Sequence, residues 1–382
     1  MLKMKGFTAP NYDNSTVSIV NSVLEHFGAE TVHKPLEPIL KAAKGADKIV
    51  FFVVDAMGYG QVKALPKQSF LRKWAQKNPV SAVFPPTTST SVLSFATGLL
   101  PSEHGVLGYT QYLPEQKKVV NMLAFRSVRS RKPVKLNLKK LYPFTTVYQR
   151  LKKAGVASLI LSPAKIQKTR LSLAINKGAK YVPYKTLPEM FKKLKNLISK
   201  KGKAYIYCYI DDYDTACHEY GPDGMISKLL LSYINNQFAR IGLARAKKTL
   251  LIVSADHGAI TSNPDKMLLY SKYPKLNSAI KAVAGEIRTN YVHCKKGKQE
   301  LFQQQARKLA KYCYIVPSEE VIASGLFGKG EVNPLVRERA GDFMVFCKKN
   351  KTILDVHHGT IGHHGGISRQ EMQVPLILYK FH

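Results

Sequence analysis

Four stretches of this chain are apolar almost without interruption: 48–55, 156–161, 204–210 and 249–254. In the first, Ile49, Val50, Phe51, Phe52, Val53 and Val54 run directly to Asp55 with no polar residue between them. A strand with one face in water alternates, so an unbroken run predicts a strand buried on both faces, as in a parallel sheet. Between the runs the spacing turns helical. Val17, Ile19, Val20, Val23, Leu24 and Phe27 mark one face of a helix over 13–28, with Asn14 or Ser15 as cap and Gly28 as stop. Similar patterns predict helices over about 143–153, 187–200 and 224–247, and 374–379 reads as a final strand. Strands alternating with helices define an α/β fold, a doubly wound, mostly parallel sheet flanked by helices.

From about 262 to 350 the grammar changes. Residues 286–293 alternate like a strand, 298–311 read as an amphipathic helix, 312–316 as a strand and 319–324 as a short helix. The expected organisation is an α/β core of 1–261 and 351–382, with a small α+β cap subdomain of 262–350 inserted in it.

No apolar run approaches the roughly 20 residues of a membrane span, and the N-terminus is too short and polar for a signal-peptide core. The five cysteines are odd in number, scattered and without a CxxC pair. That argues against a disulfide framework and a thiolate zinc cage, and the expected location is the cytoplasm. The charge is the unusual quantity: 59 Lys plus Arg against 25 Asp plus Glu, a net +34. Such a field attracts nucleotides, nucleic acid or acidic lipid surfaces, although a lysine-rich solvated surface accounts for it equally well. The basic residues are spread over the chain, with clusters at 126–132, Lys192–Lys193 and Lys200–Lys201, none interleaved with aromatics.

Candidate chemistry gathers at the ends of the predicted strands. After Pro85 and Pro86 come four hydroxyls, Thr87, Thr88, Ser89 and Thr90, followed by a short helix that ends at Gly98. This places a hydroxyl at a helix N-terminus, where free N–H groups favour anions. An alcohol attacks phosphorus only with a base or a metal to activate it. Carboxylates and imidazoles follow the strands: Asp55, then Asp211, Asp212, Asp214 and His218, then Asp256 and His257, and His363 and His364 in a Gly-bounded turn. The collected candidates are Asp55, Thr88, Asp214, His218, Asp256, His257 and His364. Three carboxylates, three imidazoles and a hydroxyl suit Zn²⁺ or a neighbour in the first transition row. One such residue is usually structural; seven at strand ends and turns point to a site. Asp211, Asp212, His363, Thr87, Ser89 and Thr90 compete for places in it.

The motifs Asp55, Phe84-Pro-Pro-Thr-Thr88, Ala96-Thr-Gly-Leu-Leu-Pro-Ser-Glu-His-Gly105, Asp214-Thr-Ala-Cys-His-Glu-Tyr-Gly-Pro222, Asp256-His-Gly258 and Gly362-His-His-Gly365 stand in that order. Together they resemble the alkaline phosphatase superfamily, and within it the type I phosphodiesterase and nucleotide pyrophosphatase branch, over residues 48–379. The resemblance selects Asp214, His364 and Thr88 from their competitors. It implies that Asp55, Thr88, Asp256 and His257 hold one divalent metal ion and Asp214, His218 and His364 a second, Zn²⁺ first, with Mn²⁺ or Fe as alternatives. It further implies attack by Thr88 on phosphorus and a phospho-threonine that water hydrolyses, with net retention. The substrate it implies is a phosphodiester or nucleotide pyrophosphate. The alternatives are a phosphomonoesterase or phosphonate hydrolase of the same superfamily, and a polyanion-binding protein with a vestigial site.

The sequence departs from the branch at Ser91, where many members carry an asparagine that helps hold a phosphoryl oxygen; Arg126, Arg129 or Arg288 are the candidates to replace it. His104 is expected to pack a turn, His357 and His358 to be exposed, and Tyr59, Tyr109 and Tyr112 to serve in packing. The context of a sulfatase formylglycine is absent at Thr88–Ser91. The 32 residues between Asp55 and Thr88 leave no room for the second domain of a metal-dependent phosphoglycerate mutase.

Overall fold

The computed structural model describes residues 4–242, 246–354 and 359–381. The first apolar run forms the strand Lys48–Val54, buried along its whole length. It lies between two parallel neighbours, Ala204–Ile210 and Thr249–Ser254. Ala157–Pro163 and Lys180–Tyr184 continue the sheet on one side, and Ile377–Lys380 closes the other as an antiparallel edge. The mostly parallel α/β sheet expected from the apolar runs is therefore present. Lys180–Tyr184 was not legible in the sequence: it is short, half-buried and contains Pro183, which only an edge position tolerates.

Successive side chains of the central strand serve opposite faces. Phe51 meets Phe95 of the helix Thr88–Thr97 edge-on at 5.3 Å. Phe52 meets Phe191 and Phe238 of the helices Leu187–Ile198 and Met225–Gly242, at 5.7 and 4.8 Å. In Leu187–Ile198 the buried residues Leu187, Met190, Phe191, Leu194 and Ile198 recur at helical spacing, and the Thr186 hydroxyl caps the start by accepting the Glu189 N–H.

A second, antiparallel sheet has seven strands. Four of them come from the 262–350 region: Ile280–Gly285, Thr289–Cys294, Cys313–Pro317 and Phe343–Cys347. The other three, Thr110–Leu113, Lys118–Asn121 and Arg126–Ser127, lie far earlier in the chain and join through Gly285 opposite Thr110. The sheet thus takes in residues beyond the 262–350 segment. These early strands are only two to four residues long, too short for alternation to register.

Candidate active site

Strand register brings the site together. Val54 pairs with Ile210, and Val53 with Ser254, so three strands end at one level and present Asp55, the Asp211–Asp214 turn and Asp256 side by side. This is the carboxyl edge of a parallel sheet, where open α/β folds bind their ligands. Thr88 is the first residue of its helix, with Thr87 as extended N-cap and Gly98 closing the far end at φ 71°. The left-handed conformation at that stop favours glycine.

Thr88 Oγ1 lies 3.3 Å from Asp55 Oδ2 and 3.3 Å from His257 Nε2. His257 Nε2 is also 3.2 Å from Asp55 Oδ1 and 3.4 Å from Asp256 Oδ2. Its Nδ1 faces the Gly258 carbonyl at 3.1 Å, which orients the ring. Asp256 Oδ1 accepts the N–H groups of Ala56 and His257 at 3.3 and 3.0 Å, so only Oδ2 remains for the site. Asp214 and His218 are four residues apart on one helix, 3.3 Å between Oδ2 and Nε2, and His218 Nδ1 meets the Gly362 carbonyl at 2.8 Å. The His364 ring stacks on that of His257 at 3.8 Å.

All seven sequence candidates are thus in one contact network. Three of the competitors face solvent or have other partners. Asp211 pairs with Lys165 at 2.6 Å, Asp212 is exposed, and His363 Nε2 faces the Thr360 carbonyl.

The electrostatics describe a centre with surplus negative charge. Burial, and then the carboxylates of Asp256 and Asp214, push the Asp55 carboxyl well above its ordinary range, a shift that a hydrogen bond from Tyr209 only opposes in part. Burial alone would raise Asp214 too, but the hydrogen bond and charge of His218 more than offset it and hold the carboxyl low. Conversely, burial would lower His218, and Asp214 lifts its imidazole to about 9. Burial and the neighbouring His257 keep His364 well below the usual imidazole range.

Three oxygens, Asp55 Oδ1, Asp214 Oδ1 and Asp256 Oδ2, are buried without a hydrogen bond. Leaving such groups unsatisfied costs free energy unless a cation takes their place. Ligand atoms of Asp55, Asp256 and His257 lie within 4.8 Å of one another, as do those of Asp214, His257 and His364. The residues fit divalent metal ions of the kind that accept oxygen and imidazole together.

Other expectations resolve differently. Ser91 donates to the Asp256 carbonyl at 3.1 Å, and is committed to the backbone. Arg288 is buried in an ion pair with Glu371, while Arg126 and Arg129 are exposed on the outer edge of the second sheet. None of the three arginines replaces the missing donor. His104 does pack a turn, fully buried between the Ser94 hydroxyl and the Val106 N–H. Tyr112 is buried and the Tyr59 hydroxyl bonds the Lys77 carbonyl, but Tyr109 is 43% exposed. His357 and His358 lie outside the described residues.

One residue of the site escaped the sequence reading. Glu286, in the turn after Ile280–Gly285, accepts the Tyr109 N–H at 2.5 Å, has the Thr87 hydroxyl as a hydrogen-bonding neighbour, and packs where a Gly365 side chain would stand. Burial raises its carboxyl to about 7. It reaches the site from the second sheet, and a lone Glu in a strand-like run gives no signal of that.

The sequence profile described as type I phosphodiesterase / nucleotide pyrophosphatase matches residues 49–367. Among curated proteins no sequence matches. Among solved structures, murine ectonucleotide pyrophosphatase/phosphodiesterase 5 aligns with 87% of this chain and 88% of its own at 17% identity and a TM-score of 0.65. An inactive variant of it in complex with AMP aligns equally well. The human counterpart, at 16% identity, aligns over the same shares with a TM-score of 0.67. At these identities the likeness is one of fold.

Proposed function

From the premise that the chain belongs to the type I phosphodiesterase / nucleotide pyrophosphatase family, a metal-dependent group of hydrolases, we propose that it cleaves phosphodiester or nucleotide pyrophosphate bonds with Thr88 as nucleophile and two divalent metal ions, Zn²⁺ first among them. One observation carries this reading: two buried carboxylate oxygens without hydrogen bonds, Asp55 Oδ1 and Asp256 Oδ2, converge on the same imidazole that touches the Thr88 hydroxyl, and a ligand atom of a third carboxylate, Asp214, lies within 4.8 Å of it. Asp55, Asp256, His257 and Thr88 would hold one ion, and Asp214, His218 and His364 the other. Bound there, the ions would lower the pKa of the Thr88 hydroxyl and neutralise charge on the phosphoryl oxygens.

The chain's own residues supply the remainder. Thr88 Oγ1 gives its proton to solvent and forms a bond to phosphorus as the ester or anhydride oxygen leaves with the bond's electron pair and takes up a proton from water. A water molecule then breaks the Thr88–phosphorus bond, its oxygen going to phosphorus and a proton to Thr88 Oγ1, releasing a phosphomonoester and returning the hydroxyl. The free N–H groups at the start of the helix Thr88–Thr97 face the negative charge that builds on the phosphoryl group. Nucleoside phosphates are the substrate class this reading favours, supported by the AMP complex of the murine fold relative.

The test compares turnover of bis-p-nitrophenyl phosphate, a nucleotide pyrophosphate and p-nitrophenyl phosphate, with and without chelator. Chelator-sensitive hydrolysis that favours the first two supports the reading. Preference for the monoester, or insensitivity to chelator, would overturn it.

A further inference from the structure

Acids, rather than bases, are unevenly distributed in this chain. Between His104 and Pro188 the only carboxylate is Glu115. Every Lys and Arg in that span is exposed except Arg150, and the one ion pair it makes among the described residues is Lys165 with Asp211.

The fold turns this stretch into one flank. It supplies the Arg126–Ser127 edge of the second sheet and the Lys180–Tyr184 edge of the main sheet. The two regions are stitched together by Arg170, which donates to the carbonyls of Val134 and Leu136 at 2.9 and 3.1 Å and lies 5.2 Å over the Phe125 ring. The tip of the flank is an ordered turn, closed by Ser127 N to Lys132 O at 2.9 Å and Arg131 N to Ser127 O at 2.8 Å, that holds Arg129, Arg131 and Lys132 out into solvent. The three-strand meander that leads to this turn begins next to Tyr109, the exposed aromatic anchored on Glu286 beside Thr87.

We propose that this flank is a docking surface for single-stranded nucleic acid, running from Tyr109 at the rim of the Thr88 site out to the turn of Arg129, Arg131 and Lys132. Uncompensated Lys and Arg gain affinity for a phosphate backbone by releasing its counterions, and an exposed tyrosine ring offers a stacking face to an unpaired base. An acidic membrane fits less well, because interfacial binding needs apolar side chains to insert. Besides Tyr109, the flank exposes two large apolar side chains, Val128 and Leu173, too few for an inserting face, and Met225, Ile226 and Leu229 lie on a helix outside it.

The test is fluorescence anisotropy of a labelled phosphorothioate oligonucleotide about 20 nucleotides long, with the full chain, over a salt series. The expected result is binding that weakens steeply with salt, a slope of about −0.7 per neutralised phosphate. The Arg129→Glu/Arg131→Glu/Lys132→Glu variant should bind at least about tenfold more weakly with a shallower slope, while hydrolysing bis-p-nitrophenyl phosphate at the unaltered rate, which also reports an intact fold. A control variant, Lys296→Glu/Lys308→Glu/Lys311→Glu, makes the same charge change elsewhere. Equal loss in both variants, absence of oligonucleotide binding, or stronger binding to phosphatidylserine vesicles than to the oligonucleotide would each overturn the proposal.

Discussion

Arg288 and Glu371 form a two-pronged ion pair inside the protein, Nε to Oε1 at 2.7 Å and Nη2 to Oε2 at 3.0 Å. The same carboxylate accepts the N–H groups of Gly366 and Ser368 at 2.8 and 3.2 Å, and the Glu371 carbonyl accepts that of Gly258 at 2.9 Å. The pair therefore braces the loop after His364 against the turn after His257. Burial would raise the Glu371 carboxyl, but Arg288 overcomes it and keeps it below its ordinary range. Arg288→Met leaves that charge buried and alone, and should cost about 3–5 kcal/mol, read as a lowered midpoint in thermal or denaturant unfolding. Arg288→Met with Glu371→Leu should recover part of the loss.

Thr88 and His364 separate attack from metal retention. Thr88→Ala should reduce phosphodiester turnover by roughly 10³-fold or more, with metal content by atomic emission nearly intact. His364→Ala should lower both. Thr88→Ala protein that kept most of its activity would assign the attack to water instead.

Removing metal should destabilise as well as inactivate. Asp55 Oδ1, Asp214 Oδ1 and Asp256 Oδ2 have no hydrogen bond to compensate them. Added Zn²⁺ at roughly 100 to 1,000 times Kd should stabilise the fold by about 3–4 kcal/mol, and Asp256→Asn should diminish the rise in melting temperature.

Glu286 gives stability a dependence at neutral pH. Its carboxyl is raised from 4.5 to about 7 by burial, so the native state prefers it protonated. Its contribution is fully present below the unfolded value and is lost as pH rises through the folded one. Glu286→Gln should therefore gain in melting temperature over the parent as pH rises across that window, while still accepting the Tyr109 N–H. Glu286→Ala removes that acceptor and should lower kcat/KM by about 10- to 100-fold, as loss of an outer-shell partner does; rescue by Gln distinguishes positioning from acid–base chemistry.

His104 acts in the opposite sense. Burial, and then the charge of Arg339, lower its imidazole from 6.5 to about 3. Its stabilisation is present above the unfolded value and is lost as pH falls towards the folded one, because only the unfolded chain takes up the proton. His104→Gln should flatten the acid limb of a stability–pH curve, measured by urea unfolding, at the cost of a weaker turn at neutral pH.

The strands at 48–54, 204–210 and 249–254 were legible because residues buried on both faces leave uninterrupted apolar runs. The edge strand Lys180–Tyr184 and the hairpin strands of 110–127 were not, since half-buried or very short segments carry no period. The site divided in the same way. Asp55, Asp256 and the Asp214–His218 pair sit directly after strands or at helical spacing, where sequence distance stands in for spatial distance. Glu286 and Arg288 do not: they arrive on a turn of the second sheet, and their partners Tyr109 and Glu371 lie 83 or more residues away.

By itself, the sequence determined which segments must be buried, and therefore the parallel sheet and the edge at which its carboxylates collect. Burial is a local demand, written residue by residue in side-chain polarity. Only the tertiary structure decided that His364 rather than His363 stacks on His257, that Ser91 and Arg288 are already committed to other partners, and that one acid-poor stretch supplies an edge strand to each of two sheets. Each of those is a competition between groups for a neighbour, and it is settled by packing in three dimensions.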